Sequence, residues 1–221
     1  MKKILLFLFP LFCNYISNAQ NSCNCNTTIC NQIWMTHNLQ TSYYRNGDRI
    51  PNVTDPATWS GLTTGAWCWY NNDSATYSVY GKLYNWYAVN DPRGLAPIAW
   101  HIPSEHDWNL LIKCIDPNAD TLCTNCSQSF IAGGAMKDNG PLYWLYPNTG
   151  ATNSTGFTGL PAGIRFSNGA FDANGSYTYW WSSTFTNTTD AWSHYLDKFS
   201  ANAPNYSDKK SLGFSVRCVK N

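Results

Sequence analysis

The spacing of apolar positions changes along the chain, and each change predicts an element. A short apolar run, Ile4 to Phe12 (ILLFLFPLF), follows Lys2 and Lys3 and precedes the small residues Ser17-Asn18-Ala19. That order predicts an export signal spanning residues 1–19 and cut after Ala19. The run is too short to cross about 30 Å of hydrocarbon as a helix, and Pro10 interrupts it. Residues 20–31 then form a polar, cysteine-rich lead-in. Gln32 to Leu39 predicts a strand, with Ile33, Met35 and His37 to one side. Turn signals fill Gln40 to Thr76, apart from a strand pattern at Ala66 to Tyr70. Tyr80 to Val89 places Leu83, Trp86 and Tyr87 at helical spacing and predicts a first helix. A second follows, with Trp108, Leu111, Ile112 and Ile115 at i, i+3, i+4 and i+7. Ser104 serves as its N-cap, Glu105 and Asp107 fill the first turn, and Pro103 lies just outside. Asp116-Pro117 ends it. Beyond an insertion at 118–130, strands are predicted at Trp180 to Thr184, Ala191 to Phe199 and Gly213 to Val219. The middle one alternates Trp192, His194 and Leu196 against Tyr195, Asp197 and Phe199. Two helices followed by strands, with no internal repeat, predict one α+β domain over residues 32–221.

Composition narrows the class. Charged residues make up 12% of the chain and aromatics 16%, including eleven tryptophans. The formal charge is +1, and loss of the two leader lysines makes it −1, so no basic footprint for nucleic acid exists. Apart from the leader, no apolar run is long enough to span a membrane, and no anchoring segment is seen. Such aromatic, amide-rich composition suits a loop-rich extracellular fold, and tryptophan faces also pack on sugar rings. Core burial is the more frequent fate of any single tryptophan. Leader removal discards Cys13 and leaves Cys23, Cys25, Cys30, Cys68, Cys114, Cys123, Cys126 and Cys218. An even number in an oxidising compartment predicts disulfides, with connectivity open. Cys123 and Cys126 form a CxxC that reads as a structural bridge, because no second CxxC or CxxH completes a zinc site.

Catalytic chemistry finds little support. The four histidines, His37, His101, His106 and His194, form no HxH or HExxH. His101 reads as a fixed hydrogen-bonding residue, and His106 and His194 as surface residues. Glu105 is the one glutamate, which excludes a Glu/Glu glycosidase pair. There is no G-x-S-x-G nucleophile elbow. No catalytic residue or metal ligand is assigned, and the expectation is a protein that is not an enzyme and has no resident cofactor. Calcium is the one metal with candidate donors, in Asn71-Asn72-Asp73 and Asn90-Asp91. The same residue types are ordinary turn formers.

Eight motifs occur in order: QIWMTHNL, TTGAWCWYNND, YGKLYNWYAV, LAPIAWHIPSEHDWNLL, GGAMKDNG, NTGATNSTGFTGLPAGIRF, YWWSST and GFSVRCVK. Together they resemble the Fibrobacter succinogenes major paralogous domain, a family of exported bacterial domains. The resemblance implies a C-type-lectin-like fold, shared with formylglycine-generating enzymes: two helices on a small twisted antiparallel sheet with long irregular loops. Trp100, His101, Pro103, Ser104, Trp108 and Arg217 stand in its motifs as structural residues. Where such domains often carry Cys-Pro-x-Gly, this chain has Ala96-Pro97-Ile98-Ala99. A cysteine bonded there in relatives would leave Cys218 needing another partner, and Cys114 is the implied one. The paired active-site cysteines of formylglycine-generating enzymes have no convincing counterpart. A lectin-like fold implies ligand recognition in the C-terminal region, around Thr186 to Asp208. The candidate ligand-binding residues are Tyr177, Tyr179, Trp192, Tyr195, Asn202, Asn205 and Tyr206, with a glycan or surface protein as partner. The alternatives are a self-associating surface or matrix component and, third, an enzyme of the formylglycine-generating type.

Overall fold

The computed structural model of the protein describes residues 25–221. The expected export signal and Cys23 lie outside the described residues. Twelve strands run in chain order: β1 (Asn26–Ile29), β2 (Gln32–Met35), β3 (Trp67–Cys68), β4 (Leu83–Tyr84), β5 (Trp100–His101), β6 (Cys126–Ser129), β7 (Ile164–Arg165), β8 (Phe171–Asp172), β9 (Tyr177–Phe185), β10 (Asp190–Asp197), β11 (Ala203–Lys209) and β12 (Val219–Lys220). They form antiparallel sheets ordered β1-β2-β12-β5 and β6-β11-β10-β9, with two-stranded pairs β3-β4 and β7-β8. The helices are α1 (Pro56–Ser60), α2 (Ser74–Tyr77), α3 (Trp86–Val89), α4 (Glu105–Ile115) and α5 (Ala132–Met136). The protein is therefore a mixed α and β structure with several small antiparallel sheets.

Helix α4 forms where its stripe and cap predict. The Ser104 hydroxyl accepts from the Asp107 N–H at 3.3 Å, and the Asp107 carboxylate accepts from the Ser104 N–H at 2.8 Å. This reciprocal cap satisfies two orphan donors, and the stripe buries Trp108, Leu111 and Ile112. The other predicted helix is corrected. Tyr80 to Val89 divides into β4 and the four-residue α3. Gly81 sits at φ +81°, and a Cβ there would stand 2.6 Å from that of Asn38. The chain instead runs extended, with Tyr84 and Phe214 exchanging backbone hydrogen bonds at 2.8 and 3.0 Å. The Asn85 side chain then caps α3 by accepting from Ala88 N–H. Helical spacing misleads here because nearly every side chain in the segment is buried, whichever way it points. Only α4 exceeds five residues.

Strand β2 shows a related departure. Trp34 and Met35 both lose their exposure, in different aromatic clusters, while Ile33 is half-buried. Both strand faces are covered, so alternation does not report inside and outside. The Gly213 to Val219 strand is also shortened: only Val219 joins β12, and Phe214 and Ser215 make isolated bridges. Eight of the eleven tryptophans are buried. Trp34 lies 4.9 Å from Trp108 and Trp108 lies 6.1 Å from Trp180, which joins α4 to both larger sheets.

Among the described residues five cations are buried: Lys82, Lys137, Arg165, Lys210 and Arg217. None lies within ion-pair distance of a carboxylate. Each stands over an aromatic ring: Trp67, Trp144, Trp59, Trp86 and Phe157 respectively. Lys137 donates to the carbonyls of Thr149, Asp197 and Ser200 at 2.7–2.8 Å. Arg165 donates to Val53, Thr54 and Gly169 carbonyls, Lys210 to Asn187 and Thr188, and Arg217 to Phe157, Thr158 and the Asn38 side chain. In a chain with long loops, Lys137, Arg165, Lys210 and Arg217 collect carbonyls that no strand satisfies.

The cysteines keep the expected CxxC bridge but not the implied partner of Cys218. Cys30 at the β1–β2 turn bridges Cys114 on α4, with Cα atoms 6.5 Å apart. Cys123 and Cys126 are bridged across the CxxC, and Cys25 is disulfide-bonded. Cys68 and Cys218 remain buried thiols. The implied Cys218–Cys114 pair is therefore replaced: Cys218 packs in the cluster of Met35, Ile102 and Val216, whereas Cys114 packs against the Trp108 cluster.

Candidate functional site

Register decides which C-terminal residues can meet. Tyr195 pairs with Tyr179 and Asp197 with Tyr177 across β10 and β9, while Ser193 pairs with Tyr206 across β10 and β11. Side chains alternate with a period of two, so Tyr177, Tyr179, Ser193, Tyr195, Tyr206 and Asp208 share one sheet face. The rings touch in sequence. Tyr177 and Tyr179 stack at 6.1 Å, Tyr179 and Tyr195 lie at 5.4 Å, and Tyr195 and Tyr206 at 5.7 Å. Tyr179 is anchored from below by Phe214, stacked at 4.8 Å. Phe199 extends the row beside Tyr177 at 6.2 Å. Tyr206 is 40% exposed and Phe199 58%, whereas Tyr177, Tyr179 and Tyr195 are half-buried.

The electrostatics of this face favour neutral hydroxyls. Burial, then the neighbouring Tyr206 and Asp197, pushes the Tyr195 phenol up to about 12, and burial raises Tyr179 as well. Both keep their protons at neutral pH and can donate or accept hydrogen bonds. Asp208 accepts from the Ser193 hydroxyl at 2.6 Å. Burial and, to a smaller extent, Asp190 raise its carboxyl above the ordinary range, against the lowering effect of Ser193. The face thus offers apolar rings, hydroxyls that both donate and accept, and two carboxylates: Asp208, and Asp197, which is buried and bonded to the Phe199 and Ser200 N–H groups.

Four of the seven candidate ligand-binding residues meet here: Tyr177, Tyr179, Tyr195 and Tyr206. The other three do not. Trp192 and Asn205 lie on the opposite face with His194. Asn205 is buried and donates to Glu105 Oε1 at 3.0 Å and to the Cys123 carbonyl at 3.3 Å. Asn202 donates to Ser127 Oγ at 3.2 Å, and a Cβ on Gly133 would collide with its carbonyl, so it packs against the GGAMKDNG motif. His194 is corrected from surface to core: it is 3% exposed, stacked on Trp108 at 4.7 Å, with Nε2 3.0 Å from Glu105 Oε2. Asp208 and Ser193 were not among the candidates, whereas Phe199 stands on the Tyr195 side that the alternation predicts. The Tyr206-x-Asp208 spacing within one strand is the signal that could have found Asp208.

The motif from Trp100 to Trp108 runs from β5 into α4. Trp100 and His101 form β5, the Pro103 carbonyl accepts from Ser183 N–H at 2.8 Å, and His101 Nδ1 lies 2.7 Å from Asn221 Oδ1. The calcium donors are otherwise engaged. Asp73 caps α2 through Ala75 and Thr76 N–H, Asn72 donates to the Thr54 carbonyl, and Asp91 accepts from Arg93 at 2.8 Å. Among the described residues no group of three His, Cys, Asp or Glu is placed to hold a metal ion, and no helix is long and apolar enough to cross a membrane.

Neither a curated protein nor a solved structure matches the chain. A family match covers the eight motifs, both larger sheets and α4: residues 27–220 correspond to the Fibrobacter succinogenes major domain, and the chain belongs to that family.

Proposed function

We propose that the protein is an exported recognition module on a C-type-lectin-like fold, binding a glycan through the half-buried tyrosine row on β9, β10 and β11. The observation that carries this reading is the continuous row of Tyr177, Tyr179, Tyr195 and Tyr206 beside Asp208. Such rings supply flat apolar area at low conformational cost, and their hydroxyls and the carboxylate suit sugar hydroxyls. Export is supported by the leader-like N-terminal residues and by the Cys30–Cys114 and Cys123–Cys126 bridges, which persist in oxidising compartments. A glycan array probed with the mature chain tests the proposal. Tyr206→Ala should weaken the bound signal by about tenfold or more, in the range of an interface hot spot. Trp192→Ala, on the opposite face, should leave it within about twofold. Absence of any glycan signal, or equal losses in both variants, would overturn the reading. Binding to a surface protein that requires Tyr206 would keep the face and change the ligand.

A second reading, self-association in a surface or matrix layer, is favoured by Leu142 and Tyr146, which are 81% and 91% exposed on one loop. Sedimentation of the mature chain over a concentration series distinguishes it, because recognition alone requires no assembly.

A further inference from the structure

Four of the five buried cations donate to two or more backbone carbonyls, and Lys82 does not. Its Nζ lies 3.4 Å from the centre of the Trp67 ring and 5.2 Å from that of Trp69. Its hydrogen-bond partner is the hydroxyl of Ser42, at 2.5 Å. The difference is chemical. A carbonyl can only accept, so it holds a lysine as the ammonium. A hydroxyl can also donate, so it satisfies the neutral amine equally well. Burial alone lowers Lys82 to about 8, with no charged neighbour contributing; Trp67, Trp69 and Ser42 carry no charge. Ser42 is half-buried on the loop between β2 and α1, beside exposed Tyr43. With its ammonium lowered to about 8, a minor share of the amine is neutral near physiological pH, and a hydroxyl in contact with that amine is the arrangement of an activated nucleophile.

We propose that Ser42 and Lys82 form a nucleophile–base pair that accepts an acyl group from an ester or thioester. In this step Ser42 Oγ bonds to the acyl carbon while its proton passes to Lys82 Nζ. The tetrahedral adduct collapses, the bond from the acyl carbon to the leaving oxygen or sulfur breaks, and the leaving group takes the proton from Lys82. The products are acyl-Ser42 and a free alcohol or thiol, with the amine neutral again and no change of oxidation state. Trp67 and Trp69, edge to face at 5.8 Å, flank the amine and keep its desolvation in place. The tyrosine face takes no part, so this chemistry stands independently of glycan recognition.

The test is acetylation by p-nitrophenyl acetate, followed by intact mass and peptide mapping across pH 6 to 10. One acetyl group is expected on Ser42, at a rate that rises with pH and levels off above about 8. Ser42→Ala should remove that adduct. Lys82→Met should slow it by about a hundredfold or more, the usual contribution of a general base. Circular dichroism checks that Lys82→Met is folded. If it is not, the pH profile of the unmodified chain decides. No adduct on Ser42, a rate flat through pH 8, or equal rates in folded Lys82→Met would each overturn the proposal.

Discussion

Lys137 illustrates how single residues hold this fold. Its ammonium fills all three donor positions with carbonyls from segments 12, 60 and 63 residues away. Lys137→Met would keep much of the volume and leave three carbonyls, that of Asp197 buried and those of Thr149 and Ser200 partly so, without this donor. We expect a loss of about 3 kcal/mol or more, measured by urea unfolding. Asp208 illustrates the reverse case. Its folded-state carboxyl is raised, chiefly by burial, so the ionised form costs folding stability at every pH above that raised value. That cost disappears as pH falls and the group is protonated in both states. Asp208→Asn should therefore unfold at a higher temperature than the parent at pH 7, and the difference should shrink at pH 4. Calorimetry at the two pH values checks this.

At the scale of elements, α4 was legible and the Tyr80–Val89 segment was not, for a physical reason. The α4 stripe has an exposed side, at His106 and Leu110, so its apolar period carries information. Leu83, Tyr84, Trp86, Ala88 and Val89 are all buried in a segment covered on every side, and no period reports its backbone state. Gly81 was the better guide. The capping box gives α4 a defined start, and Ser104→Ala should cost about 1 kcal/mol in thermal unfolding. The Cys30–Cys114 bridge ties this helix to the β1–β2 turn across a sequence separation of 84. Chain-entropy reasoning assigns a loop of that size about 4 kcal/mol. Cys30→Ser with Cys114→Ser should show that loss in guanidinium unfolding, and a variant as stable as the parent would refute it.

Across the whole molecule, the class of fold and the presence of disulfides were readable, but the candidate site was readable only in part. Tyr177, Tyr179, Tyr195 and Tyr206 were chosen as aromatic residues of the C-terminal region, and the strand register puts them on one face. Trp192 and Asn205 were misplaced because residue type was allowed to outweigh strand parity. Ser42 and Lys82, forty positions apart, carry no local signal at all. Cohesion is aromatic and carbonyl-based, with few ion pairs among the described residues.

The sheet order β1-β2-β12-β5 has a consequence for the birth of the molecule. Val219 pairs with both Trp34 and His101, and Phe214, Val216, Arg217 and Cys218 complete the interior immediately before it. A chain emerging from a ribosome therefore lacks the keystone of the sheet begun by β1 and β2 until residues 214–220 are made. The β6-β11-β10-β9 sheet has no such dependence, since its last strand in the chain, β11, ends at Lys209, so the two larger sheets differ in when their strands become available.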